Sequence, residues 1–161
     1  MNAIDVAIKM ETDAIKFYSD AAKITAYPAG RKMFETIAED EKRHLEIVTK
    51  LIEGLDIHME DVHPLQKIKT IFEEMKDDMM DKVAATSDEL EAFQIAMKME
   101  KEGLDFYSKL ADEAETEKEK ILFKKLIIEE QQHYNIFANT YDFLNDTGNW
   151  FMWEDHSIVE G

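Results

Sequence analysis

The sequence repeats itself once, at an interval of 89 residues. The stretch AIKMETDAIKFYS begins at Ala7, and the similar stretch AMKMEKEGLDFYS begins at Ala96. The same interval, without a gap, relates His44 to His133. Because each copy covers two consecutive segments with helical periodicity, the chain is predicted to consist of two similar helical hairpins.

Four segments have the periodicity of amphipathic helices. They cover about residues 3–26, 30–53, 87–114 and 117–144. Thr86 and Glu89 fit a capping box at the start of the third helix, where Ser87 is an alternative cap. The segment 54–86 is too long for a simple turn, and its second half is predicted to form a short amphipathic crossover helix.

This order of segments predicts an all-α fold, an antiparallel four-helix bundle made of two hairpins joined by a long crossover. The bundle is expected to occupy residues 1–145. Residues 146–161 form a tail rich in aromatic side chains, which we expect to pack on the bundle or on a partner subunit.

Each helix carries a glutamate in the middle of its apolar stripe. In the first helix, spacings of three and four residues place one polar carboxylate and one tyrosine among apolar side chains: Ile4, Ile8, Glu11, Ile15, Tyr18 and Ala22. The third helix repeats this pattern with Phe93, Met97, Glu100, Leu104, Tyr107 and Ala111. These carboxylates therefore lie on the face that the bundle should bury.

The second and fourth helices add a histidine one turn after the glutamate. Their stripes contain the pairs Glu41–His44 and Glu130–His133 in a Glu-x-x-His spacing. The neighbouring residues Asp40 and Arg43 fall outside the stripe and are expected to be solvated or supporting.

Four buried carboxylates need compensation, because an uncompensated buried charge costs several kcal/mol or more. They can protonate, pair with a base or bind cations, and the four stripes contain no Lys or Arg. Four carboxylates balance two divalent ions, and two imidazoles complete the ligand set. Such donors suit iron or manganese, and zinc remains an alternative.

Composition excludes several classes of function. The formal net charge of −17 disfavours binding to nucleic acid or to an anionic membrane. The sequence contains no cysteine, which excludes disulfides and cysteine-bound iron–sulfur centres within it. No basic segment followed by an apolar run is visible at the start, and we expect a cytoplasmic protein.

The ordered set of glutamates and Glu-x-x-His pairs resembles the ferritin-like di-iron carboxylate proteins, and most of all their rubrerythrin branch. The resemblance covers about residues 3–144. It implies that Glu41 and Glu130 bridge two iron ions, that Glu11 and Glu100 are terminal ligands, and that the two histidines are nitrogen ligands. It further implies that Tyr18 and Tyr107 hydrogen-bond to metal-bound carboxylates, although ordinary core packing explains the two tyrosines equally well.

The sequence departs from the rubrerythrin pattern at one position of the third helix. Rubrerythrins usually carry an extra Glu three residues after the ligand of that helix, and this Glu takes part in a redox-linked change of ligands. Gly103 occupies the position here, and the adjacent Glu102 points about 100° away around the helix. The peroxidase chemistry associated with that change is therefore in question.

The resemblance implies a di-iron oxidoreductase that acts on peroxide or dioxygen, with an external electron-donor protein such as a rubredoxin. We expect a homodimer. Two other functions fit the same residues. One is ferrous iron oxidation or storage, and the other is a non-enzymatic, metal-stabilised module for interaction or sensing.

A second Glu-x-x-His pair, Glu60 and His63, lacks this support. Pro64 disfavours helical backbone at His63, and no histidine lies 89 residues later. We expect a surface loop there. His58 and His156 also have no supporting pattern.

Overall fold

Four helices make up nearly all of the residues that the structure, a computed structural model, describes, namely 3–53 and 84–148. They are α1 (Ala3–Ile24), α2 (Pro28–Glu53), α3 (Ser87–Glu113) and α4 (Glu117–Thr147). α1 packs along α2 and α3 packs along α4, and α1 also contacts α3. The predicted all-α bundle of two hairpins is confirmed. The predicted crossover helix, most of the tail, and the histidines and glutamate at 58, 60, 63 and 156 lie outside the described residues.

The helix ends follow local sequence signals. The Glu89 N–H donates to Thr86 Oγ1 at 3.1 Å, and the Thr86 N–H donates to Glu89 Oε2 at 2.8 Å, which confirms the capping box. Gly148 caps the C-terminus of α4, and its φ of 73° is in the left-handed region that glycine adopts without strain. α2 begins two residues earlier than expected, at Pro28, because proline suits the first position of a helix.

The described residues form a core of two clusters, one towards each end of the bundle. The first core cluster includes Tyr18, Phe34, Phe93 and Phe137, with the ring centroid of Phe34 lying 4.9 Å from that of Phe93 and 5.4 Å from that of Phe137. The second core cluster includes Ala7, Ile47, Val48, Tyr107, Leu122, Phe123 and Leu126.

The membership of the clusters defines the direction of the helices. The first core cluster takes residues from the second half of α1, the first halves of α2 and α3, and the second half of α4. α2 and α3 therefore run parallel, and the end of α2 lies at the opposite end of the bundle from the start of α3. A tight turn cannot join helices arranged in this way.

None of the described helices is both long enough and apolar enough to cross a membrane.

Candidate metal centre

Six acidic and imidazole side chains meet between the two core clusters. They are the six predicted from the sequence: Glu11, Glu41, His44, Glu100, Glu130 and His133. None is more than 4% exposed, and an apolar cluster covers the layer on each side along the bundle. The structure thus brings the whole predicted set together, and the role of these residues as ligands stays a prediction.

The six side chains form two overlapping groups of four. Glu11 and His44 belong to one group, Glu100 and His133 to the other, and Glu41 and Glu130 to both. Within each group the potential ligand atoms all lie within 4.8 Å of one another. Two neighbouring cations held by these groups would have two carboxylates in common.

One nitrogen of each imidazole faces the carboxylates. His44 Nδ1 lies 3.0 Å from Glu130 Oε1 and 3.2 Å from Glu41 Oε2. His133 Nδ1 lies 2.9 Å from Glu41 Oε1 and 3.4 Å from Glu100 Oε1. The two rings are stacked at an interplanar angle of 21°, with their centroids 5.9 Å apart. Each histidine therefore presents Nδ1 to its own group of carboxylates.

The other nitrogen of each imidazole faces an acidic residue outside the six. His133 Nε2 lies 3.2 Å from Asp40 Oδ2, and His44 Nε2 lies 3.5 Å from Glu129 Oε2. A carboxylate behind a histidine fixes the orientation of the ring and leaves the opposite nitrogen available as a ligand.

Arg43 connects these two supporting carboxylates. Its guanidinium donates two hydrogen bonds to Glu129, one of them from Nη1 to Oε2 at 3.2 Å, and it lies 3.8 Å from Asp40 Oδ1. The Arg43 side chain is only 16% exposed, so these contacts are partly shielded from solvent. One arginine on α2 therefore contacts the carboxylates behind both histidines.

The supporting shell is more buried than the sequence indicates. Asp40 is buried and Arg43 is mostly buried, so of the two expected roles the structure favours support over solvation. No role is predicted for Glu129 from the sequence. A signal was present, because Asp40 and Glu129 are acidic residues at the same interval of 89 and each directly precedes a predicted bridging glutamate.

The two tyrosines link the hairpins across the site. The Tyr18 hydroxyl donates to Glu100 Oε1 at 2.6 Å, and the Tyr107 hydroxyl donates to Glu11 Oε1. Both rings are fully buried, so each tyrosine also packs in the core. These hydrogen bonds leave the second oxygen of each carboxylate available to another partner.

The carboxylates influence one another's protonation. Burial, together with the negative charge of neighbouring glutamates, raises the pKa of Glu11 and of Glu130 well above the usual 4.5. Burial and the charge of Glu41 also raise the pKa of Glu100. Burial alone would raise the pKa of Glu41, but close contacts with Glu11 and the two histidines, and the charge of His44, lower it well below 4.5. In the metal-free cluster, the surroundings therefore favour the protonated form of Glu11, Glu100 and Glu130 and the ionised form of Glu41.

The imidazoles favour their protonated, positively charged form, and the supporting Glu129 favours its ionised, negatively charged form. Burial lowers the pKa of His44 and of His133, but the surrounding carboxylates outweigh it and raise both pKa values well above the usual 6.5. Burial would raise the pKa of Glu129, but its contacts with His44 and Arg43 lower it to about 2. Cations bound here would replace protons held by the glutamates and histidines.

Several donor atoms at the centre of the layer have no hydrogen-bond partner among the described residues. Glu100 Oε2 is one of them, and Glu41 Oε2 and both nitrogens of His44 have ion-pair contacts of 3.2–3.5 Å or, between His44 Nδ1 and Glu130 Oε1, 3.0 Å, none with the geometry of a hydrogen bond. Buried polar atoms are rarely left unpaired unless they serve an ion or another ligand. Oxygen and nitrogen donors of this kind, arranged in two overlapping groups, fit a pair of divalent metal ions.

Gly103 provides space for one of the shared carboxylates. A Cβ atom at this position would lie 2.6 Å from Glu130 Oε2. The neighbouring Glu102 is exposed, as expected from its direction on the helix. The carboxyl group of Glu130 therefore fills the space next to the position where rubrerythrins usually carry their extra Glu.

Comparison with known proteins identifies the family. The family model described as Rubrerythrin matches residues 2–141, which include all four helix segments that carry the cluster. No curated protein and no solved structure gave a significant match. The family match, the hairpin arrangement and the buried carboxylate and imidazole layer agree with the ferritin-like bundle predicted from the sequence. The chain belongs to the rubrerythrin family.

Proposed function

We propose that this protein is a di-metal oxidoreductase that reduces peroxide or dioxygen with electrons from an external donor. The observation that carries the proposal is the pair of overlapping groups that share Glu41 and Glu130. Four carboxylates neutralise two divalent cations, and Glu100 Oε2 has no hydrogen-bond partner among the described residues. Iron is the metal that we expect, with manganese and zinc as alternatives.

Two reduced metal ions would supply one electron each, which together reduce an O–O bond. The chain contributes the geometry and the environment. Asp40 and Glu129 orient the two imidazoles, and Tyr18 and Tyr107 hold the terminal carboxylates of the opposite hairpin. The two core clusters cover the layer with apolar side chains on both sides along the bundle.

The ligand set of this chain is simpler than that of a rubrerythrin with the extra glutamate. Gly103 has no side chain, and the exposed Glu102 is not among the grouped donors. We infer that turnover uses the six grouped residues without the redox-linked change of ligands that involves the extra Glu in rubrerythrins.

The electron donor must come from outside this sequence, because the sequence contains no cysteine to hold an iron–sulfur centre. A rubredoxin is the donor that the family resemblance suggests. A homodimer in the cytoplasm stays a prediction.

The proposal is tested with protein loaded anaerobically with two equivalents of ferrous iron. Peroxide is then added, and absorbance and residual ferrous iron are followed over time. We expect one peroxide to oxidise two iron ions, and Glu41→Ala to abolish the response while Glu46→Ala, on the exposed face of α2, retains it. Iron that stays ferrous in the unmodified protein would overturn the redox proposal.

The same sample separates the alternative functions. Oxidation of many iron ions per chain under dioxygen, with retention of the product, would favour iron oxidation or storage. Two tightly bound ions that respond to neither oxidant would favour a structural or sensing role.

A further inference from the structure

A narrow pocket between α1 and α3 leads from the surface to the carboxylate layer. Its volume is about 90 Å³. Asp13 and Glu102, both exposed, lie at its outer edge, and the half-buried side chains of Met10 and Met99 border it. All four grouped glutamates line its inner part: Glu11, Glu41, Glu100 and Glu130.

The pocket lies where the two repeats face each other. Asp13 and Glu102 are related by the interval of 89 residues, and so are the two methionines. The opening exists because the matched positions Ala14 and Gly103 carry little or no side chain. Apart from Tyr18, the residues that line the pocket therefore come in pairs, and each hairpin supplies one acidic residue to the entrance.

An unpartnered donor atom belongs to the carboxylate layer that the pocket reaches. Glu100 Oε2 is buried and has no hydrogen-bond partner among the described residues, and Glu100 lines the pocket. An acidic entrance that leads to an unpaired carboxylate oxygen is attractive to cations along its whole length.

The entrance has the donor atoms that divalent cations prefer. Carboxylate oxygens such as those of Asp13 and Glu102 can replace waters of a hydrated divalent ion, which lowers the barrier to its entry.

We propose that this pocket is the route by which divalent cations reach the buried layer, with Asp13 and Glu102 as the acidic residues that capture them. The proposal rests on the proposed di-metal site. Lys9 Nζ lies 2.6 Å from Asp13 Oδ2, in an exposed pair that reduces the negative charge of the entrance. Lys9 therefore opposes capture, and its removal has the opposite effect to removal of the carboxylates.

The test compares rates of metal uptake, with Co²⁺ alone as the probe and its visible absorbance as the signal. In the double variant Asp13→Asn/Glu102→Gln we expect uptake about tenfold slower, within the range known for electrostatic steering. The final content of two ions per chain is expected to stay unchanged, because neither residue belongs to the grouped donors.

A matched control separates a local entrance from the general attraction of an acidic protein. Glu46→Gln/Glu91→Gln removes the same charge from exposed positions on α2 and α3, and we expect uptake within about twofold of the original rate. Lys9→Met is expected to accelerate uptake about twofold, whereas Lys50→Met, at an exposed position near the end of α2, is not.

The outcomes distinguish the route from the site. Equal slowing in the two double variants would overturn the route and leave the di-metal site intact. A lower final metal content in Asp13→Asn/Glu102→Gln would also overturn the route, because it would make these residues part of the site. Failure of the unmodified protein to bind two ions would overturn both proposals.

Discussion

The two hairpins supply the same residues to the centre of the site but different residues around it. The grouped donors and the tyrosines come in pairs at an interval of 89 residues, whereas Arg43 is matched by Gln132 and Ala14 is matched by Gly103. The central residues of both hairpins balance charge at the same place, and they are alike. The residues around them have different surroundings in the two hairpins, and the matched residues differ.

The supporting carboxylates illustrate the difference. Asp40 and Glu129 both stand behind a histidine, but Glu129 receives two hydrogen bonds from Arg43, while Asp40 lies 3.8 Å from the same guanidinium. A symmetric pair of ligands can therefore depend on an asymmetric set of supporting contacts.

The largest expected effect is the difference in bound metal between variants of a glutamate that belongs to both groups and variants of a glutamate that belongs to one. Glu41→Ala or Glu130→Ala removes a donor from both groups, so we expect both ions to be lost. Glu11→Ala or Glu100→Ala removes a donor from one group, so we expect about one ion per chain to remain. Metal analysis of protein purified without added metal measures this.

Glu46→Ala, on the exposed face of α2, is the control and should retain both ions. Equal metal loss from the shared and unshared variants would contradict the assignment of Glu41 and Glu130 to both ions.

The second prediction concerns the difference between Arg43 and its counterpart Gln132. Arg43→Gln makes this position match Gln132 and leaves Glu129 without its guanidinium partner in a largely buried setting. Loss of one partner from a buried polar contact costs about 1–3 kcal/mol, so we expect the free energy of unfolding to fall by about 2 kcal/mol. Urea denaturation provides the measurement.

Lys42→Gln is the neighbouring control. It breaks an exposed pair with Glu39, 2.7 Å long, which is worth less than about 1 kcal/mol. If the two substitutions lowered stability equally, Arg43 would have no special role in supporting the site.

The third prediction concerns the unequal pair Ala14 and Gly103. Gly103→Ala places a Cβ atom 2.6 Å from Glu130 Oε2, so the carboxyl group must shift. We expect metal affinity to fall about tenfold, which corresponds to about 1.4 kcal/mol. The metal-free protein should be no less stable, since alanine favours the helix by about 1 kcal/mol. Metal titration and thermal unfolding test the two parts.

Ala14→Gly should behave in the opposite way. It lowers the stability of α1 by about 1 kcal/mol, with metal affinity almost unchanged. Unchanged affinity in Gly103→Ala would show that Glu130 has room to move without consequence.

The smallest expected effect is on the pH dependence of the metal-free protein. Five groups have raised pKa values, namely Glu11, Glu100, Glu130, His44 and His133. The stabilisation that each group gives is complete at pH values below its usual pKa and is lost as the pH rises through its raised pKa. We therefore expect the Tm to rise as pH falls from about 8 to about 5.5, by at least about 3 °C, the shift that 1 kcal/mol produces in a domain of this size.

Glu41 and Glu129 have lowered pKa values, and the stabilisation that they give is lost only as pH falls below the usual 4.5. They do not act in this pH range. The metal-loaded protein should show the reverse trend, because protons compete with the metal for its ligands. A Tm of the metal-free protein that falls between pH 8 and 5.5 would contradict the prediction.

The sequence was sufficient to predict the bundle and the grouping of six side chains. Helical periodicity depends on local geometry, so a glutamate at a stripe position such as Glu11 or Glu100 has to point towards the core wherever the helix packs. The interval of 89 residues then placed the two Glu-x-x-His pairs in equivalent positions.

The supporting residues were decided by the tertiary structure. Asp40 lies one residue from Glu41, and so about 100° around the helix, at the edge of the buried face. Whether such a position is buried depends on how closely the next helix approaches, and this is a property of the packing of α2 and α4 rather than of either sequence segment. The sequence therefore determined which side chains meet at the centre, whereas only the packed bundle decided that Asp40, Arg43 and Glu129 surround them.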